Sequence, residues 1–214
     1  MVADVPASAE VRGVACDLLT ALVDSWRLWE RVAGEPERGR QWRQVSLRMV
    51  TSAGAYRSYE EIVSDATAEM GLPAARTKEL LQRWGELEPY PDARPALDAL
   101  RRAGKRLAVV TNCSQRLAEL AASRVGVSWD AVVSAEQAGF YKPHPIPYRA
   151  GCEALGLPPE QMLFVAGSAH DVPGAAGIGL RVYWANRRGL PAPAGAAPWK
   201  TAPDLSALPA LAGA

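Results

Sequence analysis

The chain has 214 residues, of which 49% are apolar and 22% charged, a composition that is ordinary for a globular protein and excludes a disordered or fibrous chain. Lys and Arg number 24 against 23 Asp and Glu, so the basic face typical of nucleic-acid binding is not expected. No run of about 18 apolar residues occurs, and the first apolar run contains Arg12 and Asp17. We therefore expect no membrane span and no signal peptide, with residues 1–10 as a loose tail.

The cysteine pattern bears on the cellular compartment. Cys16, Cys113 and Cys152 are odd in number, widely spaced and without a paired metal-ligand motif. They predict neither a disulfide framework nor a zinc site. Buried thiols in a reducing cytoplasm are the simplest interpretation.

Short apolar runs that end in polar residues predict buried strands. They comprise residues 14–16, 107–110 and 162–165, and a fourth candidate covers residues 181–184. Such runs are typical of strands that are buried on both faces of a parallel sheet.

Helical patterns separate these runs. Apolar residues recur at helical spacing in residues 92–103, 115–123 and 146–155. Alternation of strand and helix predicts an α/β core with a doubly wound parallel sheet. Ligands of such sheets bind at the carboxyl ends of the strands, so the polar residues that end the runs are expected to meet there.

Residues 25–88 show helix after helix without a strand pattern. Ser58 begins a capping box, and Pro73 is expected to open a further helix with Leu80 and Trp84 on its apolar face. We interpret the aromatic and apolar stripe of Trp26, Leu28 and Trp29 as bundle core rather than as part of a cofactor site.

These patterns predict two domains. Residues 1–24 and 89–214 form the α/β core, and residues 25–88 form a helical cap that is inserted after the first strand. The segment from residue 189 onward is rich in Pro and Ala and carries little information.

Asp17 is the first candidate for chemistry because a carboxylate at the end of a buried strand can act as a nucleophile. Taken alone, a turn or cap role would be the ordinary interpretation. Further polar groups come from Thr111 and Asn112 after the second run, Lys142 before a proline, and Asp171 just beyond the third run. Turn formation alone does not require such a constellation.

These residues carry a resemblance to the haloacid dehalogenase superfamily. Residues 17–22, 109–112, 141–143 and 164–171 resemble its four motifs in order, and the helical insert matches its cap. The resemblance spans nearly the whole chain and implies a hydrolase with its active site between core and cap.

The resemblance also implies roles for the motif residues. Asp17 is expected to be the nucleophile and Lys142 to neutralise it. Thr111 and Asn112 are expected to hold the anionic part of the substrate. Asp171 is the acidic residue of the fourth motif.

Two positions argue against the magnesium-dependent phosphatases of the superfamily. Where those enzymes carry a second Asp that protonates the leaving oxygen, this chain has Leu19, and where they carry a metal-binding Asp it has Gly167. Asp17 and Asp171 alone are a poor anchor for magnesium. No metal and no cofactor are therefore expected.

The L-2-haloacid dehalogenase branch is the closer resemblance. Arg43 lies in a cap segment that resembles the one carrying the branch's active-site Arg, and Tyr148 keeps the branch's spacing from Lys142. Residues 184–187 resemble its Trp-x-Asn-Arg stretch. For Arg43 a solvated position on the cap stays an open alternative.

Four positions depart from that branch. Ala21 replaces a Thr, although Thr20 stands one position earlier, and Ala166 replaces a Ser. Ser168 stands where an Asn is expected, and His170 where an aromatic residue is expected. These changes bear on water activation and substrate range.

We therefore predict a hydrolase that removes halide from a small haloalkanoic acid through an ester on Asp17. Asp171, with Lys142 and Ser168, would assist the attacking water. The substrate is a small anion, and a homodimer is left open. The alternatives are a phosphatase-like hydrolase with an unusual metal site and a catalytically silent binding protein.

The remaining predicted contacts are with the substrate. Two are backbone amides, those of Leu18 and Leu19. Four are side chains, those of Arg43, Thr111, Asn112 and Tyr148.

Overall fold

The computed structural model describes residues 10–214 and contains a six-stranded parallel sheet. The first nine residues of the predicted tail lie outside the described part. The strands are β1 Gly13–Cys16, β2 Arg106–Thr111, β3 Ala131–Ser134, β4 Met162–Ala166, β5 Arg181–Ala185 and β6 Lys200–Ala202, in the spatial order β3-β2-β1-β4-β5-β6. Every neighbouring pair is parallel, which confirms the predicted fold class.

Both faces of the sheet are covered by helices. Val14 and Cys16 of β1 point into one apolar cluster with the helices Ala93–Arg102, Gln115–Val125 and Leu208–Leu211, whereas Ala15 points into a second cluster with the helices Pro145–Leu155 and Asp171–Ala176. This two-sided burial is the reason for the continuous apolar runs in the sequence. The core helices are α5 Ala93–Arg102, α6 Gln115–Val125, α7 Ala135–Ala138, α8 Pro145–Leu155, α9 Asp171–Ala176 and α10 Leu208–Leu211.

The inserted segment is entirely helical between its two connections to the core. It contains α1 Ser25–Ala33, α2 Pro36–Ala53, α3 Tyr59–Glu69, α4 Ala75–Gln82 and the 3₁₀ turn Trp84–Glu86. The two segments that connect it to the core are joined by an isolated antiparallel bridge between Val23 and Pro89. We propose on this ground that the cap extends from residue 25 to residue 88.

Several local predictions need correction. The helix expected to open at Pro73 begins at Ala75 and ends at Gln82, and Trp84 lies in the separate 3₁₀ turn. The segment from residue 189 also contains β6, an exposed edge strand, and α10. Edge strands lack the continuous apolar pattern that marks central strands, so the sequence did not indicate β6.

None of the helices within residues 10–214 is long and apolar enough to cross a membrane. The three cysteines are buried and unpaired.

The sheet order creates a site at the end of β1. This strand pairs with β2 on one side and β4 on the other. The sheet therefore extends from β1 through β2 and β3 to one side, and through β4, β5 and β6 to the other. A crevice forms at such a switch point. Asp17 follows β1 directly, and Asp171 opens α9 after β4.

Candidate active site

Asp17 is held rigidly at the end of β1. Its amide donates to the carbonyl of Val165 at 2.8 Å, and only 6% of the residue is exposed. One carboxylate oxygen, Oδ2, accepts hydrogen bonds from the Thr20 hydroxyl at 2.7 Å, the Thr20 amide at 3.0 Å and the Ala21 amide at 3.2 Å. Thr20 thus supplies the hydroxyl that Ala21 lacks.

Lys142 bridges the two carboxylates of the site. Its Nζ lies 2.9 Å from Oδ1 of Asp17 and 3.2 Å from Oδ1 of Asp171, and all three side chains are almost completely buried. Asn112 positions this lysine, because its Nδ2 donates to the Lys142 carbonyl at 2.9 Å and its Oδ1 accepts from the Lys142 amide at 2.8 Å.

The balance between burial and nearby charges shifts the pKa values of the two carboxyl groups in opposite directions. For Asp17, burial favours the neutral form, but the Lys142 charge and the hydrogen bonds from Thr20 outweigh it and lower the pKa. For Asp171, burial and the nearby negative charge of Asp17 outweigh Lys142 and raise the pKa. Burial also opposes the charge of Lys142, yet the two carboxylates raise its pKa. Asp17 is therefore the ionised nucleophile candidate and Asp171 the stronger base.

Tyr148 lies against Asp171 rather than in the cavity. Its hydroxyl donates to Oδ1 of Asp171 at 2.8 Å, and its ring packs edge-to-face on Phe164 with 5.1 Å between centroids. Burial and the charge of Asp171 raise the Tyr148 pKa well above 10, so the hydroxyl keeps its proton. The position of Tyr148 fits orientation of Asp171 and not the predicted substrate contact.

Arg43 of α2 is buried, with 2% of the residue exposed. Its guanidinium carbon lies 5.8 Å from the ring centre of Trp26 and 5.4 Å from that of Trp29. Among residues 10–214 Arg43 has no hydrogen-bond or ion-pair partner, and its Nε is buried and unpaired. The solvated alternative for Arg43 is therefore wrong, and a buried cation in this state needs an anion.

These groups line one small cavity, here called the inner chamber, with a volume of about 30 Å³. Leu47, Val50 and Thr51 contribute to it from the same face of α2 as Arg43, at helical spacing, and sequence reasoning missed them although this spacing was the available signal. The full wall consists of Asp17, Leu19, Thr20, Arg43, Leu47, Val50, Thr51, Asn112, Lys142, Ser168, His170 and Asp171.

Two of the other predicted substrate contacts lie outside the chamber wall. Leu18 is buried in the core, and Thr111 places its hydroxyl 3.9 Å from Sγ of Cys113, so neither residue is part of the chamber wall. Leu19 and Ser168 do line the chamber. Within the described chain the amide of Leu19 donates to no other residue, which leaves it available to a ligand in the chamber.

The donor set around Asp17 does not suit a magnesium ion. In residues 10–214 no group of three or more His, Cys, Asp or Glu side chains is placed to hold a metal. A side chain at Gly167 would overlap the backbone of Thr20 and Ala21, so an aspartate has no room there. The Lys142 ammonium already occupies the space between the two carboxylates.

Arg187 fixes the loop that follows Asp17. Its guanidinium donates to the carbonyl of Ala21 at 2.9 and 3.0 Å and forms a two-point pair with Asp92 at 2.7 and 3.0 Å. It also stacks on Tyr90 at 3.8 Å. The stretch 184–187 therefore acts at a distance from the chamber, through the backbone that carries Thr20.

Comparison with known proteins identifies the family of this chain. The pattern of the family described as haloacid dehalogenase-like hydrolase matches residues 13–179. Haloacetate dehalogenase H-2 of Moraxella sp. (strain B) is 30% identical over 197 residues, which cover 85% of this chain and 88% of that protein.

Two solved structures of L-2-haloacid dehalogenase from Xanthobacter autotrophicus are similar over 94% of this chain and 98% of theirs, at 25% identity. Their TM-scores are 0.83 and, for the form with chloropropionic acid covalently bound, 0.82. With the motifs, the fold and the buried lysine–carboxylate site in agreement, the chain belongs to the haloacid dehalogenase-like hydrolases.

Proposed function

We propose that this protein is a 2-haloacid dehalogenase that releases halide from a small haloalkanoic acid through an ester of Asp17 and without a metal. The observation that carries the proposal is the buried Arg43 guanidinium, which faces the same chamber as Asp17 and has no anionic partner among the described residues. A haloacid brings two anions to this place, its carboxylate and the departing halide.

In the first step a carboxylate oxygen of Asp17 attacks the carbon that bears the halogen. A carbon–oxygen bond forms, and the carbon–halogen electron pair leaves with the halide. Halide needs no proton to leave, so Leu19 in place of an acidic residue is no obstacle. Oδ1 is the attacking oxygen in this assignment, because Oδ2 is held by three donors.

In the second step water attacks the carboxyl carbon of the Asp17 ester, and Asp171 accepts the proton of the water. Its raised pKa makes it the stronger base of the two carboxylates. Negative charge collects on Oδ2, which the Thr20 hydroxyl and the amides of Thr20 and Ala21 stabilise. The intermediate then expels the 2-hydroxy acid oxygen, which takes the proton from Asp171, and Asp17 releases the second proton of the water to solvent and returns to the carboxylate.

The substrate carboxylate is assigned to the amide of Leu19 and to the second Nδ2 hydrogen of Asn112. Arg43 receives the halide or completes this clamp. With Asp17 and Asp171 ionised, Lys142 and Arg43 balance their charges, so the free chamber is neutral. We assign no substrate contact to Thr111 or Tyr148.

A phosphatase mechanism fits these residues less well. Phosphoester cleavage requires an acid for the leaving oxygen, and the chamber offers Leu19 at that position. Attack of Asp17 on a phosphate also requires that like charges are screened, usually by a metal, and Gly167 leaves no room for the carboxylate that would anchor one.

A direct test measures halide release from 2-chloropropanoate and chloroacetate beside phosphate release from small phosphoesters, with EDTA and with added magnesium. We expect halide release that survives EDTA and is lost in Asp17→Asn. Magnesium-dependent phosphate release would favour the phosphatase alternative. Neither product, from folded protein, would favour a catalytically silent binding protein.

A cytoplasmic location and a homodimer are further predictions. The buried, unpaired cysteines are typical of a reducing compartment. Light scattering of the purified chain tests the dimer.

A further inference from the structure

A second and larger cavity adjoins the inner chamber. We call it the outer cleft. It has a volume of about 330 Å³, and the part of its wall that it does not share includes Trp26, Tyr90, Leu190, Arg48, Arg187 and Arg188. Trp26 was predicted as bundle core, but it is half-buried and lines this cleft. Thr20, Leu47, Thr51, Ser168 and His170 line both cavities, so the two are neighbours across a shared rim.

The inner chamber can hold only the reacting end of a substrate. Its volume is about 30 Å³ against about 330 Å³ in the cleft. Any substituent that extends from the reacting carbon past the shared rim enters the outer cleft. Trp26, Tyr90 and Leu190 give it apolar walls for an aliphatic chain.

The charge of the cleft is one-sided. Its described wall contains three arginines and neither Asp nor Glu. Arg48 is paired with Glu69, and Arg187 with Asp92. Arg188 has no ion pair among residues 10–214, so its charge is available to an incoming anion.

Arg188 is also ordered before any ligand arrives. Its guanidinium carbon stacks over Trp26 at 3.9 Å from the ring centre. Stacking fixes the plane of the guanidinium while its edge keeps the N–H donors free for a carboxylate. The same ring also lies 5.8 Å from the guanidinium carbon of Arg43.

We infer that the outer cleft is a subsite for the far end of an elongated 2-haloacid whose terminal group is a second carboxylate, bound by Arg188. This inference rests on the proposed function for the reacting end, and it names the substrate class as halogenated aliphatic dicarboxylates. The chain lies along Trp26 and Leu190, and the terminal carboxylate meets Arg188 at the exposed end of the cleft.

The test compares 2-bromooctanedioate with 2-bromooctanoate, and 2-bromohexanedioate with 2-bromohexanoate, in the wild type, Arg188→Ala and Arg102→Ala. Arg102 is a matched control because it is exposed, unpaired among residues 10–214 and remote on α5. We expect a higher kcat/KM for at least one diacid than for its monoacid. Arg188→Ala should remove about fivefold from that diacid, as for an exposed charge contact, and leave the monoacid unchanged.

A binding measurement separates this inference from the proposed function. Calorimetry with octanedioate and octanoate, which cannot react, should show tighter binding of the diacid in the wild type and not in Arg188→Ala. If halide is released neither from these four compounds nor from 2-chloropropanoate and chloroacetate, the proposed function fails, and calorimetry still decides on the subsite. Equal binding of the two acids, or equal losses in Arg188→Ala and Arg102→Ala, would overturn the inference.

Discussion

Two charge clusters of this protein have similar distances and different environments. In the inner chamber Lys142 lies 2.9 Å from Asp17 and 3.2 Å from Asp171, with side chains that are 3–8% exposed. On the cap surface Arg83 lies 2.9 Å from Glu86, with side chains that are 32% and 49% exposed. The chamber groups shift each other's protonation without screening by water, whereas the surface pair is screened and competes with water for each hydrogen bond.

The comparison shows that distance alone does not identify a functional charge. A surface pair contributes about 0–1 kcal/mol to the free energy of unfolding. A buried pair contributes little net stability, yet removal of one partner costs about 3–5 kcal/mol because the other charge stays buried. The following variants are ordered from the largest expected effect to the smallest.

Asp17→Asn should abolish turnover, with a loss of about a thousandfold or more, because the amide is not a nucleophile. In heavy-oxygen water, a single turnover of the wild type should place the label in the Asp17 side chain, since water attacks the ester carbon. Mass spectrometry of the Asp17 peptide measures it. Label in the product alone would contradict the ester, and Asp65→Asn on the surface serves as the control.

Lys142→Met should destabilise the protein by about 3–5 kcal/mol and inactivate it, since Asp17 and Asp171 are then buried together without a cation. Urea unfolding measures the free energy. A second change, Asp171→Asn, removes one of the two carboxylates and should restore part of the stability. Unchanged stability of Lys142→Met would mean that the chamber is hydrated.

The pKa shifts of Asp17 and Lys142 set the pH range over which their ion pair stabilises the folded protein. The lowered pKa of Asp17 contributes stability above its unfolded value of about 4, which is lost as the pH falls through the folded value. The raised pKa of Lys142 contributes stability below its unfolded value of about 10.4, which is lost as the pH rises through the folded value. Unfolding at a series of pH values should show both losses in the wild type and smaller ones in a Lys142→Met, Asp17→Asn double variant, in which the Asp92 carboxyl still has a lowered pKa.

Arg43→Ala should lower kcat/KM for a haloacid by about ten- to a hundredfold, which corresponds to a charge-assisted contact of about 1.5–3 kcal/mol. The free protein should stay folded, since the variant loses packing on Trp26 and Trp29 but breaks no hydrogen bond or ion pair among the described residues. Arg40→Ala on the same helix is the control, because Arg40 pairs with Glu30 and Glu37 at the surface. Equal kinetics in both variants would refute the anion role of Arg43.

Tyr148→Phe should move the acidic limb of the pH–rate profile to higher pH. Burial raises the pKa of Asp171, and the hydrogen bond from Tyr148 partly offsets that rise. Without the hydroxyl the pKa is higher still, so Asp171 is ionised, and active as a base, over a narrower range. A fall in kcat at all pH values without a shift of the limb would assign Tyr148 a packing role only.

Arg83→Ala should have the smallest effect, less than about 1 kcal/mol in the free energy of unfolding, with unchanged kinetics. Its partners Glu79 and Glu86 are half-exposed and regain water. Thermal unfolding at low and at high salt measures the difference, which should disappear at high salt. A larger loss would mean that the two clusters differ less than their exposure indicates.

The sequence by itself determined the fold class and the catalytic candidates, because both depend on local order. Continuous apolar runs predict strands that are buried on both faces, and each run carries its polar residue at its end. In the structure Asp17 directly follows β1 and Asp171 begins α9, in agreement with this pattern. The four motifs also predicted the family, which the comparisons confirmed.

Only the tertiary structure decided how these residues are used. Lys142 and Asp17 are 125 positions apart, and their ion pair exists because Asn112, just after β2, holds the Lys142 backbone beside the end of β1. The burial of Arg43 depends on the contact of the cap with the core, and no local pattern states which polar side chains lose their water. Tyr148 was predicted from spacing as a substrate contact, yet the packing of α8 against the sheet turns its hydroxyl to Asp171.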